Sequence, residues 1–304
     1  MILAGTVNAQ AYLRLMSPVP TVVQSKNAQL AFRFMLSKPM DAGSWIRLGF
    51  PKESGMVVSK DIKECEEVDS QFEITACTAN IDENYLQFTI KTALTLTEGS
   101  TTADFEIRAS SAIDLPTTVA TVDPITLTTQ TSEVRATAFK ATAGVLKNVA
   151  LEPAVETVGS DTTLKVSLTT AHRIPKKGLL HIGVSAPWND GAPGRAIQYF
   201  SAVNCAALTI GGAPATAGTY ACSFLDESRV EITGGFPEGV PADTEIKVEI
   251  AGFRNPIQAV DAFNVFTVYT SGADGTDIVD NSTASVTVSE PAALTSASFR
   301  VAPA

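Results

Sequence analysis

The sequence predicts an all-β protein of two tandem antiparallel β-sandwich domains, and three observations carry that reading. Short runs alternate apolar and polar residues along the chain: LAFRF, IRLGF, LQFTI and FEIRA in its first half, LKVSL, HIGV, VEI and IKVEI in its second. A period of two, rich in Val, Ile, Thr and Phe, marks strands with one face packed inward and the other in water. The runs are separated by turn-forming segments such as PMDAG, PKKG and PEGVPAD, and no long stretch has a 3.6-residue period, so any helix should be a single turn. The third observation is that the whole pattern occurs twice.

The repeat is read by setting VVQSKNAQLAFRFMLSKPMDAGSWIRLGFP (22–51) beside TVGSDTTLKVSLTTAHRIPKKGLLHIGVSAP (157–187). Leu30, Phe32 and Phe34 match Leu164, Val166 and Leu168. Gly43 matches Gly178, and Ile46, Leu48, Phe50 and Pro51 match Ile182, Val184, Ala186 and Pro187. The register continues through Cys65 and Cys77, which match Cys205 and Cys222. It then runs through DFEIRA (104–109), which matches KVEIAG (247–252), and ITLTT (125–129), which matches FTVYT (266–270). One unit of about 135–145 residues is therefore present twice. Residues 1–11 form an N-terminal extension, 12–140 the first sandwich and 141–292 the second, with a last strand at 293–304. The opening MILAGTVNAQA has small residues like the end of a signal peptide but no basic region before them, and reads as a mature end or an internal fragment.

The chain has 304 residues, 45% of them hydrophobic, which suits two globular domains with sizeable cores. Its net charge of −10 disfavours nucleic acid and anionic membrane surfaces as partners. No apolar run approaches the roughly 20 residues that span a bilayer.

The four cysteines fall two to a unit, and the repeat selects one pairing, Cys65–Cys77 and Cys205–Cys222. Zinc would need closely spaced cysteines or histidine partners, and the two histidines, His172 and His181, have no counterpart in the first unit. Two disulfides place the protein in an oxidising compartment, secreted or at a cell surface. Asn281 heads the sequon Asn281-Ser282-Thr283 and is the candidate glycosylation site.

The chain has no nucleophile elbow, zincin motif or phosphate-binding loop, so an enzyme is not expected. A Ser-His-Asp arrangement could use only His172, in a turn before Pro175, or His181, in a strand; both read as structural. Asp274, Asp277 and Asp280 in SGADGTDIVDN are a calcium candidate, against the plainer reading of a solvated acidic loop. No other cofactor is expected. Trp45 and Trp188 flank the same strand region of their units and are expected in or near the cores, a sugar-stacking platform being the alternative. The insertions specific to the second unit, 189–200 and 210–221, read as Gly/Ala loops.

An opening strand ending in proline precedes Leu164, Val166 and Leu168. The segment PKKGLLHIGVSAP (175–187) follows, then the cysteine pair, PEGVPAD, IKVEI and FTVYT. In this order the chain resembles the tandem immunoglobulin-like repeats of large extracellular surface and filament proteins of microbes, protists included, over about residues 12–292. The resemblance implies a rod or fibre module without an active site. TLTEGSTTAD (95–104) lacks the prolines of its counterpart FPEGVPAD, so that turn departs from the pattern.

The tail LTSASFRVAPA (294–304) matches the openings of both units when aligned on Pro18, Pro153 and Pro303, with Phe299 and Val301 at the places of Val149 and Leu151. It reads as the first strand of a further repeat or as a strand donated to another copy. The expectation is a structural subunit of an extracellular filament or surface layer, partnered by itself as a homopolymer. The alternative is an adhesin or carbohydrate-binding module, with surface glycans as partners.

Overall fold

The structure, a computed structural model, describes residues 12–16, 21–58, 64–67, 73–95, 103–131, 134–184, 200–226, 229–255 and 265–288. The chain divides into two compact units, Met1–Ala143 and Gly144–Ala304. The one helical element among the described residues is a single 3-10 turn, Lys52–Ser54.

The described residues of the first unit form ten strands: β1 (Leu13–Met16), β2 (Ala28–Leu36), β3 (Trp45–Gly49), β4 (Val57–Val58), β5 (Glu64–Glu67), β6 (Ile74–Asn80), β7 (Tyr85–Ile90), β8 (Ala103–Asp114), β9 (Thr121–Thr129) and β10 (Val134–Lys140). One sheet has the order β1-β2-β8, with β4 and β5 both on the far side of β8; the other runs β10-β9-β3-β7-β6. Alternation makes the core. Leu30, Phe32, Phe34 and Leu36 of β2 are buried against Phe105 and Ile107, while Ile46, Leu48, Leu86, Phe88, Ile125 and Leu127 come inward from the second sheet. The Phe32 and Phe88 rings meet at 5.4 Å.

The described residues of the second unit form eleven strands: β11 (Gly144–Val145), β12 (Lys147–Pro153), β13 (Asp161–Thr169), β14 (Gly178–Val184), β15 (Phe200–Ile210), β16 (Ala213–Pro214), β17 (Ala221–Asp226), β18 (Arg229–Phe236), β19 (Glu245–Arg254), β20 (Val265–Ser271) and β21 (Ile278–Ser285). The sheets run β12-β13-β19-β15-β16 and β11-β21-β20-β14-β18-β17. Leu164, Val166 and Leu168 lie in register with Ile250, Val248 and Ile246, so both strands send their apolar residues into one core. The turn PEGVPAD depends on Gly239, at φ +78°: a Cβ there would stand 2.5 Å from the Ile174 carbonyl oxygen.

An immunoglobulin sandwich sets strands A, B, E and D in one sheet and C, F and G in the other. Here β12, β13, β19 and β15 take the first set of places, and β14, β20 and β21 the second. The departure is β17 and β18, inserted in chain order between the D and E places and added beside β14. In the first unit β6 and β7 extend β3 in the same way. The fold is thus all-β, with immunoglobulin-like sandwiches.

Cys205 on β15 and Cys222 on β17 form a disulfide, which joins the two sheets of the second unit. Cys77 on β6 is also disulfide-bonded. Cys65 lies on β5, and its side chain is outside the described residues, as are the signal-like start, Pro18 and the tail with Phe299, Val301 and Pro303. The bridge spans 17 positions, a loop whose closure limits the unfolded chain by about 3 kcal/mol. Replacing both Cys205 and Cys222 by Ser should cost that much in urea unfolding of the second sandwich, and reductant should produce the same loss in the parent. A double variant that unfolds at the parent's midpoint would show that the bridge stabilises nothing.

Candidate binding face

Three places in the described residues collect polar or aromatic side chains in a way that packing alone does not require. The first is the outer face of β3. Ile46 and Leu48 point into the core, so Trp45, Arg47 and Gly49 point the other way. The pairing β9-β3-β7 sets Thr128 and Gln87 on either side of Arg47, and Thr126 and Tyr85 on either side of Gly49. The Arg47 guanidinium lies 4.2 Å from the centre of the Trp45 ring and 4.5 Å from that of Tyr85. Its Nε donates to the Gln87 side-chain oxygen at 2.8 Å. Asn80 donates to the Tyr85 hydroxyl at 3.1 Å, which fixes the second ring.

Because Gly49 has no side chain, the face dips there. A hollow of about 380 Å³ is lined by Arg47, Phe50, Glu83, Tyr85, Pro124 and Thr126 among others. A second hollow, of about 510 Å³ and polar, lies along Thr78, Asn80, Asp82 and Gln87 and shares Tyr85 with the first. Trp45 is therefore a half-exposed residue of the outer face, which corrects the expectation that it packs in or near the core. The parity of the strand decides it: a residue beside Ile46 cannot share its face.

The second place surrounds His181, which is 3% exposed. It pairs in register with Glu231 and Tyr269, and its ring stacks on Tyr269 at 4.3 Å. Its Nε2 is 3.0 Å from the Ser271 hydroxyl, and Glu231 Oε2 is 3.7 Å from its Nδ1, which has no hydrogen-bond partner. The residue types are those of a nucleophile, base and acid, but the protons run the wrong way. With the Ser271 hydroxyl donating to the Gly272 carbonyl at 3.1 Å, the histidine Nε2–H is the donor to Ser271, the tautomer in which the ring is not its base. Ser271 is also fully buried, out of reach of a substrate. Burial, with Arg229 nearby, lowers the His181 pKa to about 4.

The third place is His172 and Asp280. Asp280 is fully buried on β21; its Oδ2 accepts from the backbone N–H groups of Ala171 and His172, both at 2.9 Å, and its Oδ1 faces His172 Nδ1 at 2.7 Å. Gly144 packs directly on this pair, and a Cβ there would collide with both side chains.

Two of the three carboxylates of the calcium candidate point to different partners. Asp280 is turned to His172, whereas Asp274 accepts from the backbone N–H groups of Thr276 and Asp277 in its own turn. Those two bonds hold the Asp274 carboxyl below the usual carboxylate range. No cluster of three metal-ligating side chains occurs among the described residues. The turn serves as a cover instead: at Gly275 the chain passes over His181 and Glu231.

Asn281 is exposed on β21, paired with Tyr269 on one side and Val145 on the other. The 210–221 insertion holds β16 and the turn into β17, while Trp188 and residues 189–199 lie outside the described residues.

No family model matches the chain, and no curated protein matches it. Among solved structures, the chain is similar to the C-terminal domain of the antigen I/II polypeptide BspA of Streptococcus agalactiae. The identity there is 9% and the TM-score 0.31, over 92% of this chain and 100% of that one. It is similar to the Enterococcus faecalis MSCRAMM ACE, a protein described as binding its ligands by a collagen hug, at 9% identity and TM-score 0.30, over 92% and 96%. The collagen adhesin of S. aureus gives 11% and 0.24, over 91% of each chain.

Proposed function

We propose that the protein is an extracellular adhesin-like module that binds glycans on the outer face of its first sandwich. The observation that carries this is the Trp45–Arg47–Tyr85 stack beside two adjoining hollows. Saccharides are recognised by apolar ring faces together with hydrogen bonds from a few fixed polar groups, and this face supplies both. Aromatic rings stand at two points, and Thr126, Thr128, Gln87, Asn80 and Asp82 line the floor and sides. The hollows share Tyr85, so a ligand longer than one sugar ring could occupy both. The disulfide Cys205–Cys222 supports a secreted or surface location, and no helix among the described residues is long and apolar enough to cross a membrane. The buried His181–Ser271 pair offers no catalytic alternative.

Head-to-tail assembly into a filament is the second reading. It rests on the sequence recurrence at Phe299, Val301 and Pro303.

A glycan array probed with the full chain tests the proposal. Some saccharides should bind, and Tyr85→Ala should weaken them by about ten- to a hundredfold, the usual worth of one buried aromatic anchor. An array without signal, or a signal unchanged by both Tyr85→Ala and Trp45→Ala, would overturn the reading.

A further inference from the structure

The charge state of the binding face says more about its ligand. The chain carries 22 Lys and Arg against 32 Asp and Glu, so acids are in excess. Its exposed cations are repeatedly matched to them: Lys26 to Asp114, Lys91 to Glu73, Lys147 to Asp243, Lys176 to Glu238 and Lys247 to Glu245. Arg47 is different. It forms no ion pair among the described residues, and its one hydrogen bond goes to the neutral Gln87 through Nε. The two Nη groups have no protein acceptor there, although the guanidinium is held between two rings and half-buried at the wall of the hollow.

An arginine so placed has its side-chain freedom already removed, its plane fixed, and two parallel donors unused. That arrangement matches an oxyanion, and a planar carboxylate best, because the fork can be met by two oxygens at once. Glu83 lines the same hollow. Its charge would repel a ligand with several anionic groups close together, but it can accept from sugar hydroxyls. The two together select a saccharide with one acidic group at the Arg47 end and hydroxyls toward Glu83.

We infer that the hollow beside Arg47 binds the oxyanion of an acidic saccharide, a uronic- or sialic-type carboxylate, with Tyr85 under the sugar ring. This rests on the glycan-binding reading above and narrows it. A sulfated saccharide presents related chemistry, so the test separates the sources. The full chain is applied to uronic- and sialic-acid-terminated saccharides, their methyl esters, sulfated saccharides and neutral ones. The free acids should bind at least about tenfold more tightly than their methyl esters, as expected for a charged hydrogen-bonded pair. Arg47→Gln should abolish the difference, and Arg47→Lys should restore only part of it. Far-ultraviolet circular dichroism and the unfolding midpoint of both variants confirm that the sandwich is intact. Sulfated saccharides that bind in an Arg47-dependent way, with the carboxylates silent, would keep the oxyanion and change its source. Methyl esters or neutral saccharides that bind as well as the acids would overturn the inference while leaving glycan binding standing. Silence from every saccharide would remove both.

Discussion

Asp280→Ala should destabilise the second sandwich by about 3–5 kcal/mol, the cost of breaking a buried, multiply bonded acceptor. The carboxyl group is fully buried and takes three partners: the N–H groups of Ala171 and His172 and the ring of His172. Alanine would leave both N–H groups without an acceptor and open a gap under Gly144. Asn provides the control. Its side-chain oxygen can still accept from both N–H groups, and its amide can donate to a neutral His172 Nδ1, so Asp280→Asn should cost only about 1 kcal/mol. Urea unfolding followed at the second unit measures both. An alanine variant within 1 kcal/mol of the parent would show that the contact is incidental.

Strands and core were largely open to reading from the alternation. The apolar members of LAFRF, IRLGF, LKVSL and IKVEI, such as Phe32, Ile46, Leu164 and Val248, are the buried ones. Alternation also fixed the parity of Trp45, and that parity contradicts the expected place in or near the core. What alternation cannot give is register between strands far apart in sequence. Arg47 and Trp45 are neighbours on one strand, but that Tyr85 completes the stack depends on β7 pairing with β3 at Gly49. Asp280 shows the same limit differently. Its spacing from Asp274 and Asp277 suggested a shared cation, because spacing within a loop was all that could be seen. The strand β21 begins between them, at Ile278, and turns Asp280 toward a backbone more than a hundred positions earlier. An aspartate inside a strand, where the residue is disfavoured, was the signal available.

His181 makes the stability of the second sandwich depend on pH. Its pKa is lowered from the usual 6.5 to about 4, first by burial and then by Arg229. The unfolded chain binds the proton more readily, so the folded state is favoured fully above pH 6.5 and loses ground as pH falls from there toward 4. The groups facing the ring set the size of the loss. Tyr269 stacks on one side, the turn covers it at Gly275, and the Ser271 hydroxyl lies 3.0 Å from Nε2. Among the described residues Glu231, 3.7 Å from Nδ1, is the acid placed to meet an added proton. The full shift corresponds to roughly 3 kcal/mol, of which about 2 kcal/mol is lost between pH 7.5 and 5. His181→Gln retains a donor for Ser271 but does not titrate. Its unfolding free energy should be flat across that interval where the parent's falls, and Glu231→Gln should steepen the parent's slope. Equal slopes in the parent and His181→Gln would mean that the ring is charged at little cost, and that the cover over it opens to water.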